Sequence, residues 1–227
     1  MRKSLALWCQ LLALAAEHRA TTAAPTWVPP LVPQPRLLEL VADPGIAAGP
    51  FSSVSVVVGG AADPAAAAAF AAEVAAAVGL QQTAEGVPEL RIELLLQPEP
   101  VDSPPVVDAH GPIAGHEAYT LELRAGGRMT IAAEHAAGLF YGTRTALQLL
   151  SGGASGAPLP PIRISDAPVS SYRGLMIDNI RQAHNASFHS MMLDKMAAVK
   201  MNVYQLHASD TDGYSMPSKV AMGDTDV

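Results

Sequence analysis

YRGLMIDNIR, residues 172–181, and KMNVYQLHASD, residues 200–210, decide how this chain folds. Each sets a short apolar run ahead of a polar cluster: Leu175, Met176 and Ile177 before Asp178 to Arg181, and Met201 to Leu206 before His207, Ser209 and Asp210. Between them Phe188, Met192 and Met196, with Met191 and Val199 beside them, recur at helical spacing. The pattern predicts strand, crossover helix and strand. A right-handed crossover returns the chain in the same direction, so both polar clusters fall on one rim, as at the C-terminal face of a parallel barrel.

Working towards the N-terminus, Asp166, Ala167 and Pro168 read as a linker, preceded by a short strand over 162–164 and a glycine-bearing loop, SGGASG, at 151–156. That loop follows a helix and lacks the Gly-Lys-Ser/Thr ending of a phosphate-binding loop, so it reads as a plain connection. The helix spans about 136–150, with Leu139, Phe140, Thr143, Leu147 and Leu150 on one broad face. Before it, GHEAYTLELRAGGRMTIAAE predicts two alternating strands joined at Gly126 and Gly127. A proline-bearing loop and a strand over 89–96 come earlier still. In a further helix Asp63 is placed to cap, Pro64 to occupy the first turn, Phe70, Val74 and Val78 to form the stripe, and Gly79 to stop it. The β-branched run 53–58 reads as a buried strand, and WVPPLVPQPRLLEL, 27–40, as a proline-rich lead into a strand.

Residues 1–24 have the order of a secretory signal: Arg2 and Lys3, an apolar run from Leu5 to Ala16, then small residues. The alternative is an ordinary amphipathic helix, and the run is too short to span a bilayer. Cys9, the sole cysteine, lies within it, so disulfides have no part in the rest of the chain. With 49% hydrophobic residues among 227 the chain can bury a substantial core, and a formal net charge of -7 argues against nucleic acid and anionic membranes as partners.

The two opening motifs resemble those of the β-N-acetylhexosaminidases of glycoside hydrolase family 20. In that family the first barrel strand carries Arg-Gly-Leu, two apolar residues, Asp and, three positions on, Arg, matched here by Arg173, Gly174, Leu175, Met176, Ile177, Asp178 and Arg181. The next strand starts Lys-Leu/Met-Asn-Val and ends His-X-His-Leu-X-Asp, matched by Lys200, Met201, Asn202 and Val203 and then by Gln205, His207 and Asp210. Residues 117–150 and the proline-rich start are similar to the small α/β domain that precedes the barrel. The resemblance implies an α/β chain: a signal peptide at 1–24, an N-terminal domain at 25–166 with an antiparallel-rich sheet and helices on one face, and the first β-α-β of an incomplete (β/α)8 barrel at 167–227.

It also implies retaining hydrolysis of terminal N-acetylhexosamine, in which the substrate's own acetamido oxygen is the nucleophile and no cofactor or metal takes part. An Asp-Glu pair on a later barrel strand orients the acetamido group and supplies the general acid; no Asp-Glu dipeptide occurs in these residues, so no catalytic residue is assigned. Arg181 matches the arginine that holds the hydroxyls of the terminal sugar; the alternative is a salt bridge to Asp178 or a solvated strand end. Asp210 matches a supporting carboxylate, while Asp178 and His207 match framework groups at the rim.

Four positions depart from the pattern: Gln182 and Gln205 stand for His, Thr211 for Asp and Tyr214 for Trp. The resemblance implies glycan substrates, a secreted or lysosome-like location, a homodimer of the intact enzyme, and a barrel that continues beyond these strands. The isolated polypeptide is expected to be inactive and to leave the apolar sides of its two barrel strands open. The competing expectation is a non-catalytic interaction protein built on the small domain.

Other constellations fail on spacing. With Gly213 at the turn position of a calcium loop, Ala208 and Lys219 would be the first and last ligands, and His184 and His189 are five apart, without the glutamate of a helical zinc motif. Asn185-Ala186-Ser187 is a formal glycosylation sequon.

Overall fold

The computed structural model describes residues 31–41, 51–78, 89–97, 116–152 and 159–214. The expected signal at 1–24, the first part of the proline-rich start, Gly79, the proline-bearing loop and most of SGGASG lie outside them. Six strands form one mixed sheet: β1 (Leu37–Leu40), β2 (Ser53–Gly60), β3 (Glu89–Leu96), β4 (Tyr119–Arg124), β5 (Arg128–Ala133) and β6 (Ile162–Asp166), in the order β1-β6-β4-β5-β3-β2. The β2–β3 and β3–β5 pairs are parallel and the other three antiparallel.

Alternation along the strands explains which face is buried. The register lines up Val56, Ile92, Met129, Leu123 and Ile162 in one row and Val58, Leu94, Ile131, Leu121 and Ile164 in the next. Both rows face helices α1 (Pro64–Val78) and α2 (Ala136–Gly152), which pack on the sheet and on each other. On the opposite face Glu122 receives Arg124 at 2.9 Å and Arg163 at 3.0 Å, an exposed ionic ladder.

In α1, Asp63 accepts from the amides of Ala65 at 3.0 Å and Ala66 at 3.4 Å. Such a cap contributes about 1 kcal/mol. Phe70 and Val74 then enter the core and Val78 packs at its margin, as the spacing predicts. Glycines 126 and 127, with φ of 78° and 76°, make the turn between β4 and β5.

Three expectations are corrected. The run 53–58 lies in β2, which is an edge strand and not a buried one: with β3 as its only neighbour among the described residues, Val57 and Val58 remain 38% and 36% exposed. Phe140 is not on the buried face of α2; it is 43% exposed under the Arg144 guanidinium, while Tyr141, Thr145, Ala146 and Leu149 are buried. Asp166 is not linker but the buried last residue of β6.

The second unit is β7 (Gly174–Asp178), α3 (Ala186–Ala198) and β8 (Val203–His207), the two strands parallel and in register from Gly174↔Val203 to Asp178↔His207. Asn185 starts α3, its side chain accepting the Phe188 amide at 2.9 Å. The helix stops in a Schellman motif: the Lys200 amide donates to Ala197 O at 3.1 Å and that of Met201 to Met196 O at 2.9 Å. Lys200 occupies the position that usually holds glycine, with φ of 61°, the one positive φ at a non-glycine among the described residues. For an L side chain that conformation costs about 1 kcal/mol. No helix among the described residues is long and apolar enough to cross a membrane.

Candidate functional site

The parallel register brings the C-terminal ends of β7 and β8 side by side, and the predicted polar residues meet there. Asp178 ends β7 opposite His207, which ends β8. The short hairpin β9 (Ser209–Asp210) and β10 (Gly213–Tyr214) brings Asp210 back over the same rim.

Arg181 is the centre of this group. Its Nη1 donates to Asp178 Oδ2 at 2.5 Å and its Nη2 to Asp210 Oδ2 at 2.6 Å, while Nε lies 3.6 Å from Asp212 Oδ2. The salt bridge to Asp178 weighed from the sequence is therefore present, as one side of a wider cluster. Only two of the five guanidinium N–H groups are committed to hydrogen bonds among the described residues, and the side chain is 57% exposed. The result is a planar fork, oriented from behind by carboxylates, with donors open to solvent.

Those carboxylates are themselves held. Asp178 Oδ1 accepts the amides of Ile180 at 3.0 Å and Arg181 at 3.2 Å. The Arg181 hydrogen bond, followed by the two amides, lowers its pKa to about 2. Asp210 accepts at Oδ2 from His207 Nε2 at 3.0 Å and at Oδ1 from the Thr211 amide and hydroxyl, which hold its carboxyl well below the usual carboxylate range. Thr211, one of the departures from the pattern, thus acts as a donor to Asp210. The same carboxylates raise the Arg181 pKa, Asp178 through its hydrogen bond foremost.

Gln182 is exposed, and Gln205 is exposed beside its register partner Met176 on the side of the strands away from α3. His184 stacks on Phe188 with ring centroids 3.9 Å apart, and His189 Nδ1 meets the Tyr204 hydroxyl at 2.5 Å. Neither histidine joins the Arg181 group. Asn185 is exposed, with its amide oxygen engaged as the cap of α3.

A second polar cluster, which sequence reasoning missed, lies at the other end of β7 and β8. Lys200 Nζ donates to Asp166 Oδ2 at 2.8 Å and to the Tyr119 hydroxyl at 2.7 Å, and that hydroxyl in turn donates to Asp166 and meets Thr145 Oγ1 at 2.6 Å. Burial pushes the Lys200 pKa down against the opposing charge of Asp166; burial and that same charge push Tyr119 well up. Beside it Arg173 donates to Glu117 at 2.6 Å and to Lys200 O at 2.7 Å, and Asn202 bridges Glu117 and Ser171 O. A cavity of ≈ 240 Å³ opens beside this cluster, between Tyr141, Pro168 and Val169. The Arg-Gly-Leu and Lys-Met-Asn motifs, so useful as signatures, thus place their polar residues at the junction with the six-stranded sheet and not at the rim.

The chain's likeness to known proteins bears on both clusters. Residues 28–167 match the family model described as glycosyl hydrolase family 20, domain 2, and residues 171–221 that of the family's catalytic domain. The N,N'-diacetylchitobiase of Vibrio harveyi is 35% identical over 109 residues, 48% of this chain and 12% of that protein. A beta-hexosaminidase of Emericella nidulans is 38% identical over 101 residues, 43% of this chain and 17% of the relative. Among solved structures, a glycoside hydrolase family 20 beta-N-acetylglucosaminidase superposes with a TM-score of 0.57 at 27% identity, covering 82% of this chain and 32% of its own. Flavobacterium johnsoniae chitobiase shares the fold, with a TM-score of 0.61 at 22% identity over 84% of this chain and 28% of its own. The chain spans less than a quarter of the length of these two curated relatives. With most of its length matched to the family's two consecutive domain models, and with the strand-end cluster and the sheet that carries it in place, the chain belongs to glycosyl hydrolase family 20.

Proposed function

We propose that this chain serves in a β-N-acetylhexosaminidase, where Arg181 holds the hydroxyls of a terminal N-acetylhexosamine. The observation that carries the reading is the half-exposed Arg181 fork, fixed from behind by Asp178 and Asp210 at the ends of two parallel strands. Donors oriented before a ligand arrives cost little further ordering on binding, which favours a hydroxyl-bearing ligand at this rim. In the substrate-assisted reaction the acetamido oxygen attacks the anomeric carbon while a general acid protonates the leaving oxygen. The described cluster offers ionised carboxylates and a cation, not a protonated acid, so its part is binding and orientation. His207 and Asp210 support Arg181, and Asp178 anchors it.

The same reading divides the chain near residues 166 and 167 into the small α/β domain and the first strands of a (β/α)8 barrel. It makes 1–24 a secretory signal, places the protein in the secretory pathway or a lysosome-like compartment, and leaves Asn185 exposed for glycosylation. It takes glycans ending in N-acetylhexosamine as partners and a homodimer as the intact assembly, with no nucleic acid.

The test is steady-state hydrolysis of a chromogenic N-acetylglucosaminide by the enzyme in which this chain serves. Arg181→Lys keeps the charge and loses the fork, and kcat/KM should fall by about 100-fold with the melting temperature unchanged. The 227-residue polypeptide alone should release no chromophore above buffer. Undiminished kcat/KM in the variant would refute the role given to Arg181; hydrolysis by the polypeptide alone would refute the assignment of proton transfer to residues outside it.

A further inference from the structure

We infer that Lys200 is a positioning residue, whose buried contact with the six-stranded sheet sets where β8 begins and hence where His207 and Asp210 hold Arg181. The first observation is a conflict between backbone and side chain. Lys200 takes the left-handed position of a Schellman motif, where a glycine would be unstrained and would stop α3 equally well. Lysine at this place is explained by its ammonium, which reaches Asp166 and Tyr119 in the sheet and is almost wholly buried.

The second observation is that the backbone around Lys200 is braced from the same direction. Its carbonyl accepts from Arg173 Nε at 2.7 Å, tying the start of β8 to the residue before β7. Two residues earlier, Ala198 O at the end of α3 accepts from Gln148 Nε2 of α2 at 2.7 Å, and Gln148 also exchanges hydrogen bonds with the Val32 backbone at 2.7 and 2.8 Å. The turn from α3 into β8 is thus fastened to the sheet domain at both ends.

The third step is geometric. In a strand a slip of one residue moves the chain by about 3.3 Å and turns every side chain to the opposite face. His207 must face away from α3 to reach Asp210, whereas Tyr204, three residues earlier, faces α3 through His189. A fixed starting point for β8 is therefore what aims His207 at the rim. The inference deepens the reading of Arg181 as the sugar-holding group and rests on it for its functional meaning, although its test needs no sugar.

That test is amide hydrogen exchange on the 227-residue chain, with the His207 ring proton resonance as a local reporter. In Lys200→Gly the amides of β8, and that of Asn179, which donates to His207 O at 3.1 Å, should lose protection by about tenfold or more, while those of Leu121 and Ile131 keep theirs. The His207 resonance should shift towards that of a free histidine. Asp166→Asn breaks the same contact from the sheet side and should give the same pattern, which covers the case in which one variant does not fold. If Lys200 is only a helix stop, Lys200→Gly will leave β8 protection equal or higher and the His207 resonance in place, and that result in either folded variant overturns the inference. Because no substrate is present, failure here leaves the proposed activity untouched, and loss of that activity assignment would leave the exchange result standing.

Discussion

Arg181 and Lys200 are both cations paired with aspartates, yet solvent gives the two pairs opposite characters. The Lys200–Asp166 pair is 8% and 9% exposed, and removing either partner strands a buried charge at a cost of about 3–5 kcal/mol. Arg181 stands in water, where ion pairs add little to stability, so its ordered geometry is better understood as preparation for a ligand. Its pH behaviour follows from the carboxylates. The folded-state pKa of Asp178 is lowered to about 2 by Arg181 and two amides, and that of Asp210 is lowered by His207 and Thr211. Depressed values mean that the cluster's contribution is present above the ordinary carboxylate range and is lost as pH falls through the folded values. The Arg181 cluster should therefore stay intact at pH 4–5, where free carboxylates are half-titrated, as roughly expected of groups near 4. Carboxyl carbon NMR titration checks this: Asp178 should titrate near 2, and a midpoint near 4 would show that Arg181 is not held as described. The rim residues were legible in the sequence because each sits directly after an apolar run. Lys200 and Asp166 were not, because they are 34 residues apart and nothing local marks either as buried.

At the scale of elements, strand and helix positions followed from periodicity, whereas neighbourhood did not. The run 53–58 is β-branched enough to suit a buried strand, but edge or centre is decided by strand order, which only the folded sheet reveals. The same holds for the glycines of α2. Gly142 sits against Ile131 and Tyr119, and a Cβ on Gly138 would meet Ala118 O at 2.2 Å, so this helix lies on the sheet through side-chain-free contacts. Gly126 also has a structural reason, its positive φ, but a Cβ there would meet nothing within 4 Å. Gly138→Ala should thus force α2 away from β4 and cost about 1–3 kcal/mol, as overpacking does. Gly126→Ala should cost about 1 kcal/mol, the conformational penalty alone. Urea denaturation monitored by circular dichroism separates them: the Gly138 variant should show the lower midpoint, and equal midpoints would mean that α2 can lift from the sheet freely.

At the scale of the whole molecule the decisive contrast, among the described residues, is between a sheet whose helix-facing side is closed and a strand pair whose far side is open. The six-stranded sheet buries Leu90, Ile92, Leu121 and Ile131 to 0% exposure under α1 and α2. In the β7–β8 pair, among the described residues, α3 covers one side only, and Met176 on the other is 56% exposed. On that side the register sets Met176 beside the exposed Gln205. Exposed strand edges carrying apolar side chains pair with one another, so the 227-residue polypeptide should self-associate through this side. Met176→Lys places a charge on the open side without touching α3 or the Lys200 contact. It should leave the circular dichroism spectrum and melting temperature unchanged and shift the sedimentation profile towards monomer at concentrations where the unaltered chain associates. Lys is discouraged there only if the side is covered, so a fall in melting temperature would show that Met176 is packed within the chain, and an unchanged sedimentation profile would place the self-association surface elsewhere.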